Sequence, residues 1–213
     1  MNSAEGPDVV VLDHGSGNLH SVTRALTAAG ARIELSADPE RALTATGLVV
    51  PGVGAFAACM AGLTAVGAPS ILAERVAAAR PVLGICVGHQ VLFEEGVEHG
   101  QHTRGLGLLP GRVARVPAVR LPHMGWNTVE PDAGSALCPD PGEYYYFVHS
   151  YAVLDPAGLR AAGATVTTTE HQGHRLVAAV ELRALSSTQF HPEKSGPAGA
   201  RLLRRWVRSL DPR

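Results

Sequence analysis

Three residues in this sequence have types and settings suited to acyl chemistry: a cysteine between two glycines in GICVGHQ (84–90), and a histidine and a glutamate in FHPEKSG (190–196). Gly-x-Cys-x-Gly is the thiol form of the nucleophile elbow, in which the nucleophile occupies a sharp turn from strand to helix. Such a turn crowds neighbouring backbones and strains its central residue, so side chains two positions away must be absent. Cys86 would then project above the edge of a sheet. The following helix, expected over about VGHQVLFEEG, turns its positive end toward the sulfur and favours the thiolate. The N–H of Val87 points where an oxyanion forms when that thiolate attacks a carbonyl. The competing reading of Cys86 is a small apolar residue of the core.

A nucleophilic cysteine needs a proton carrier, often oriented by a carboxylate. His191 follows the end of an apolar strand, Pro192 stiffens the turn, and a two-residue step in extended backbone sets His191 and Glu193 on one side. Glu193 would then select the His191 tautomer. Taken alone, these residues equally describe an ordinary polar strand end. Joined to the Cys86 elbow, a Cys-His-Glu relay is the better account.

The elements that must position these groups read as an α/β fold. VVVLDHG, RIELS, GLVVPGVG and PVLGIC are uncharged or β-branched strand patterns, and NLHSVTRALTAAG and AFAACMAGL are helical ones. Such strands joined by helices predict a mostly parallel central sheet covered on both faces, with the active crevice beyond the strand carboxyl ends. After about Gly100 the texture changes. GLGLLPGRVARVPA, YYYFVHSYAVL, ATVTTTE, RLVAAVEL and ALSSTQFH read as strands that add antiparallel members to the sheet. PAGARLLRRWVRSL predicts a closing amphipathic helix with Leu202, Leu203, Trp206, Val207 and Leu210 inward and its arginines solvated.

At 213 residues the chain suits one domain, and 18 Lys+Arg against 19 Asp+Glu leave no global attraction to nucleic acid or an anionic membrane. Three dispersed cysteines argue against a disulfide framework and for a reducing, cytoplasmic setting. No signal-peptide pattern opens the sequence. No charge occurs from Ala42 to Ala73, but the glycines and prolines within that stretch divide it into a strand, a loop and a short buried helix rather than a membrane span. The ten histidines include EHGQH and EHQGH, neither with a third ligand at metal-binding spacing, so no metal is expected.

GICVGHQ together with HPE near the C-terminus resembles the triad glutamine amidotransferases, whose nucleophile motif usually reads G-x-C-x-G-x-Q. Within them the chain is similar to the glutaminase subunits of imidazole glycerol phosphate synthase, through LDHGSGNLHSV (12–22), PGVGAF (51–56), PHMGWN (122–127), YFVHSY (146–151) and FHPEKSG (190–196). His14 and His89 stand where tyrosine and methionine are commoner.

The resemblance implies a flavodoxin-like class I amidotransferase fold in a single domain over residues 1–213, with no cofactor. It makes Cys86 the nucleophile toward the glutamine carboxamide, His191 the proton carrier and Glu193 its orienter. It implies a second oxyanion donor in the loop of Gly52, Val53 and Gly54, beside Val87. Gln90, one helical turn past Cys86, faces back toward the thiol, and His149, Ser150 and Tyr151 would hold the amino and carboxylate groups of glutamine. Ammonia released into water becomes ammonium, so an acceptor site joined by a protected path is required. The resemblance supplies it as a separate (βα)8-barrel cyclase subunit in a heterodimer, with Met124, Trp126 and Asn127, in what reads as a loop, directed toward it. Trp126 has an alternative fate as a plug of the domain's own core. The competing functions are a stand-alone γ-glutamyl hydrolase or cysteine peptidase, and a catalytically silent binding subunit.

Overall fold

The computed structural model describes residues 6–15, 17 and 19–210. Ser16 and Asn18 of the DHGSGNLHSV motif, and the chain ends, lie outside the described residues. In chain order the first half runs β1 (Asp8–Leu12), α1 (Leu19–Ala28), β2 (Arg32–Ser36), α2 (Pro39–Thr44), β3 (Gly47–Gly52), α3 (Phe56–Ala65), α4 (Ala68–Ala77), β4 (Val82–Cys86) and α5 (Val87–Gln90). The second half runs β5 (Phe93–Glu98), β6 (Gln101–Arg104), β7 (Leu109–Arg115), β8 (His123–Thr128), β9 (Glu130–Pro131), β10 (Tyr144–His149), β11 (Tyr151–Val153), α6 (Ala157–Ala161), β12 (Thr165–His171), β13 (His174–Leu182) and β14 (Leu185–Thr188). A 3-10 turn at Pro192–Lys194 then leads into α7 (Gly196–Ser209).

The central sheet is eight-stranded, in the order β2-β1-β3-β4-β14-β13-β12-β9. Its first five strands are mutually parallel, and β13, β12 and β9 are added through successive antiparallel pairings. β3 and β4 are buried at every position, which is why their sequences lack charge: a strand covered on both faces has no solvent side for a polar residue. The cover comes from two helix groups, α1 packed with α7, and α4 packed with α2 and α3. On α7 the residues Leu202, Leu203, Trp206 and Val207 face the core.

Several sequence expectations change in the structure. The elbow helix stops after a single turn at Gln90, and Phe93–Glu98 is a strand. β-Pairing decides this: Gly96 lies against the Phe56 ring, where a Cβ would approach to 2.5 Å, and the segment pairs with β6 and β7. YYYFVHSYAVL is broken at Ser150 into β10 and β11, which belong to different sheets. ALSSTQFH supplies β14, parallel to β4 rather than antiparallel, and β5, β6, β7 and β11 form a sheet of their own instead of extending the central one. PHMGWN is not a loop: its last five residues begin β8, which pairs with β10 as a two-stranded ribbon. The uncharged stretch resolves into β3, α3 and α4. Among the described residues no single helix is long and apolar enough to cross a membrane, and α3 and α4, which pass that test only together, are bent by 84°.

Candidate active site

The site is assembled where β3, β4 and β14 end side by side. Parallel pairing sets Gly52 opposite Cys86 and Thr188 opposite Ile85, so the segments leaving all three strands emerge at one edge. Cys86 has φ 58° and ψ −114°, a left-handed conformation that costs a residue with a Cβ roughly 1–3 kcal/mol and persists only where the surroundings enforce it. They do so by close approach. A Cβ on Gly88 would lie 1.9 Å from the Val50 carbonyl oxygen, and one on Gly84 would lie 2.7 Å from the Gly88 carbonyl oxygen. The glycines of the motif are therefore the points at which the elbow backbone lies against β3 and against itself.

His191 and Glu193 are both buried, with Nδ1 of His191 2.8 Å from Oε1 of Glu193. An ionised carboxylate only accepts, so the imidazole carries its hydrogen on Nδ1, which leaves Nε2 for the Cys86 thiol. Burial alone would lower the imidazole's affinity for a proton. The hydrogen bonds to Cys86 and Glu193, and the charge those partners carry, outweigh it and raise the His191 pKa to about 9.

The backbone of His191 is clamped as well. Its N–H donates to the Tyr146 carbonyl at 2.9 Å. The Ser195 hydroxyl donates to the His191 carbonyl at 2.6 Å and accepts the Tyr146 N–H at 2.9 Å. Ser195, almost fully buried, was missed in the sequence, where a serine after a turn looks like any polar surface residue.

A cavity of about 230 Å³ opens over the thiol, lined by Val53, Gly54, Cys86, Val87, Gln90, Glu98, Val148, His149, Ser150, Tyr151, His191 and Lys194. It thus gathers most of the residues singled out in the sequence and adds Glu98 and Lys194. Neither was foreseen: Glu98 reaches the site at the end of β5, whose first residues, 93–96, the sequence reads as helix, and Lys194 reads as an ordinary exposed residue after HPE. The Glu98 carboxylate also accepts the Phe56 N–H at the start of α3, at 3.0 Å.

Some expected groups are occupied inside the protein. The Gln90 amide nitrogen donates to the Tyr151 carbonyl at 2.9 Å and to Gln189 Oε1 at 3.0 Å. Both ring nitrogens of His149 are engaged, Nδ1 with the Tyr151 carbonyl and Nε2 with His123, each at 3.0 Å. His14 donates from Nε2 to the carbonyl of Pro51 at 2.7 Å, on the strand that leads to Gly52. His89 sits under the elbow with Nδ1 2.8 Å from the Ser187 hydroxyl, and burial holds its pKa down to about 3.

On the ribbon, Met124 (61% exposed) and Trp126 (56%) share the outer face with Tyr144 and Tyr146, whereas Asn127 lies on the inner face and reaches His123. Trp126 therefore does not plug this chain's core. The other two cysteines are buried away from the cavity, and burial pushes the thiols of Cys59 and Cys138 up to about 12, that of Cys59 with Cys86 as a neighbouring charge and that of Cys138 with Glu181.

The family model for class-I glutamine amidotransferases matches residues 10–210. The chain belongs to the class-I glutamine amidotransferase family. Among this family's members it is 58% identical over 207 residues to the imidazole glycerol phosphate synthase subunit HisH of Nocardia farcinica, covering 95% of this chain and 98% of that one. It is 51% identical over 216 residues to the subunit of the same name from Streptomyces avermitilis, covering 99% and 100%. The amidotransferase fold is also shared with a solved glutamine amidotransferase (TM-score 0.72, 20% identity, 93% of this chain and 98% of that chain). A second solved relative in fold is PurLQS from Thermotoga maritima (TM-score 0.69, 17% identity, 97% and 100%). Both structures are under 25% identical and speak to the fold alone.

Proposed function

We propose that the chain is the glutaminase subunit of imidazole glycerol phosphate synthase, which hydrolyses glutamine and passes the ammonia to a cyclase subunit in histidine biosynthesis. Support comes from identities of 51–58% across nearly the whole chain to subunits of that name. The observation that carries the chemistry is a buried His191–Glu193 pair beside a cysteine strained at the end of β4. We read residues 1–213 as one amidotransferase domain. The three unpaired cysteines suit a reducing compartment, the cytoplasm.

In this reading the Cys86 thiolate attacks the side-chain amide carbon of glutamine. The oxyanion of the tetrahedral intermediate takes hydrogen bonds from Val87 N–H and from the loop of Gly52, Val53 and Gly54. His191 gives its Nε2 proton to the amide nitrogen as the C–N bond breaks, which releases ammonia and leaves a γ-glutamyl thioester. The now neutral imidazole takes a proton from water, the hydroxide adds to the thioester carbonyl, and the C–S bond breaks to restore the thiolate and release the acid, which gives its proton to solvent as glutamate. Glu193 holds the tautomer and stabilises the imidazolium. Of the two carboxylates near the thiol, Glu193 is committed to His191, so Glu98 is the group for the substrate ammonium. The backbone at Ser150 and Tyr151, and Lys194 at the rim, face its carboxylate.

Ammonia keeps its lone pair only out of bulk water at neutral pH, so the acceptor must dock. The partner in this reading is a (βα)8-barrel cyclase that forms imidazole glycerol phosphate and an aminoimidazole carboxamide ribonucleotide, and the outer ribbon face with Met124 and Trp126 is its docking surface. The test is Cys86→Ala in the complex with the cyclase. Glutamine-dependent synthesis should be abolished while ammonia-dependent synthesis at high pH is spared. Loss of both activities, or labelling of Cys59 or Cys138 by a glutamine-derived electrophile with activity retained, would refute it. A stand-alone hydrolase would instead release glutamate equally well with and without the cyclase.

A further inference from the structure

On the inner face of the β8–β10 ribbon, three side chains form a hydrogen-bonded chain whose direction is dictated by its ends. The Tyr151 carbonyl only accepts, so His149 carries its hydrogen on Nδ1, 3.0 Å away. Neutral His149 then presents Nε2 as an acceptor, and His123 Nδ1–H donates to it at 3.0 Å. His123 Nε2 is left to accept from the Asn127 amide nitrogen at 3.1 Å. Asn127 is itself fixed, donating to the Glu170 carbonyl at 2.7 Å and accepting the Thr128 N–H on Oδ1 at 2.8 Å. The chain works in this direction only with both imidazoles uncharged. Burial ensures this, holding the pKa of His123 down to about 4 and that of His149 to about 3.

The His123 ring is also stacked between those of His171 (4.3 Å between centroids) and Phe147 (4.8 Å). Neither it nor His149 has a ring nitrogen left for substrate. A core needs no such chain for stability, since apolar side chains of the same shape would fill it without a polar group to satisfy; a fully paired polar network specifies one arrangement instead. What this one specifies is visible at its end. The Tyr151 carbonyl also takes the Gln90 amide at 2.9 Å, so one oxygen orients both the floor and the wall of the cavity. The chain also spans the Ser150 break, where β10 passes from the ribbon to β11 in another sheet.

We propose that His123, His149 and Asn127 are positioning residues for glutamine: through the Tyr151 carbonyl they set the Ser150–Tyr151 backbone and Gln90 against the substrate's α-carboxylate end. They touch no reacting atom. The inference rests on the glutaminase reading and adds to it a determinant of affinity for glutamine rather than of rate.

The experiment compares steady-state glutamine hydrolysis by the complex with the cyclase for wild type, His123→Leu, His123→Asn and Asn127→Ala. Leucine deletes the donor to His149. Asparagine restores an N–H close to the place of Nδ1. A buried acceptor left without its donor is worth on the order of tenfold in binding. His123→Leu should therefore raise KM for glutamine about tenfold with kcat within about threefold of wild type, and His123→Asn should recover most of the difference. Asn127→Ala, at a half-buried position, should move KM in the same direction by less and serves if the leucine variant does not fold. Equal KM in leucine and asparagine variants, a fall in kcat at constant KM, or wild-type KM throughout would overturn the positioning role. Absence of glutamate release by the wild-type complex would overturn the glutaminase reading itself, and Cys86 alkylation by iodoacetamide at equal rates in all folded variants would show the thiol to be untouched by the substitutions.

Discussion

The elbow at the end of β4 and the β8–β10 ribbon border the same cavity but are held in place by different physics. β4 is buried along its length between parallel neighbours, and Cys86 is placed by backbones in contact, with no room at Gly84 or Gly88 for a methyl group. The ribbon is buried on one face only, and its inner face is organised by side-chain hydrogen bonds, His149 to His123 to Asn127. Steric contact is steep: it admits one geometry and fails abruptly. Hydrogen bonds and rotamers give way by degrees. Cys86 thus sits on the stiff part of the molecule, and the side of the cavity formed by Val148 and His149 on the part whose outer face leaves Met124 and Trp126 exposed. Changes at the elbow should therefore be all-or-none and changes on the ribbon graded.

The largest effect expected is at Gly88→Ala. Its methyl group would meet the Val50 carbonyl oxygen at 1.9 Å, a backbone atom in the middle of the sheet that cannot swing aside. The loss should exceed about 4 kcal/mol, in the range reserved for severe overpacking at a special backbone position. Urea denaturation measures it, and near-wild-type stability would show that the elbow is as adaptable as the ribbon.

Next in size is the proton carrier. His191→Ala should lower glutamine hydrolysis by about 10²–10⁴, and Glu193→Gln by less, because the carboxylate acts through the imidazole. The pH dependence has a definite sign. The folded pKa of His191, about 9, lies above the ordinary histidine value. The stability derived from its protonation is then complete below about pH 6.5 and is lost as pH rises through 9. Hydrolysis that needs the imidazolium to protonate departing ammonia should decline over the same upper range. In Glu193→Gln, with one raising partner gone, the decline should begin at lower pH. An alkaline limb that does not move would remove Glu193 from the relay.

The smallest structural effect is expected on the ribbon's outer face. Trp126 is 56% exposed and meets Tyr146 edge-on at 6.1 Å. Trp126→Ala should leave the melting temperature of the isolated chain within a few degrees while weakening association with the cyclase, since a large aromatic on an otherwise open face carries energy only when covered. Collapse of the lone subunit, or unchanged affinity in titration calorimetry, would reverse the contrast between the two regions.

Much of the stiff region was legible because its rules are local. GICVG spells out a turn that needs two missing side chains, the uncharged strands announce burial on both faces, and HPE puts an imidazole and a carboxylate two residues apart, where they pair at 2.8 Å. The graded region was not. The expected helix through LFEEG gave way to β5 because Phe93 and Gly96 find partners near Phe56 and on β7, a pairing no local preference records. Glu98 entered the cavity only as a result.

YYYFVHSYAVL has the period of one strand, yet it divides at Ser150 because its two halves bond to different partners, β8 and β7. In the same way PHMGWN looks like a loop when read alone and becomes a strand once β10 lies beside it. Residue types and short spacings thus determined the chemistry available to this protein: a thiol, an imidazole and a carboxylate on a parallel sheet. Only the tertiary structure decided which polar groups remain free to meet a substrate. His149, 26 residues from His123 and opposite it in the ribbon, has its ring nitrogens spoken for by partners that the chain brings near only on folding.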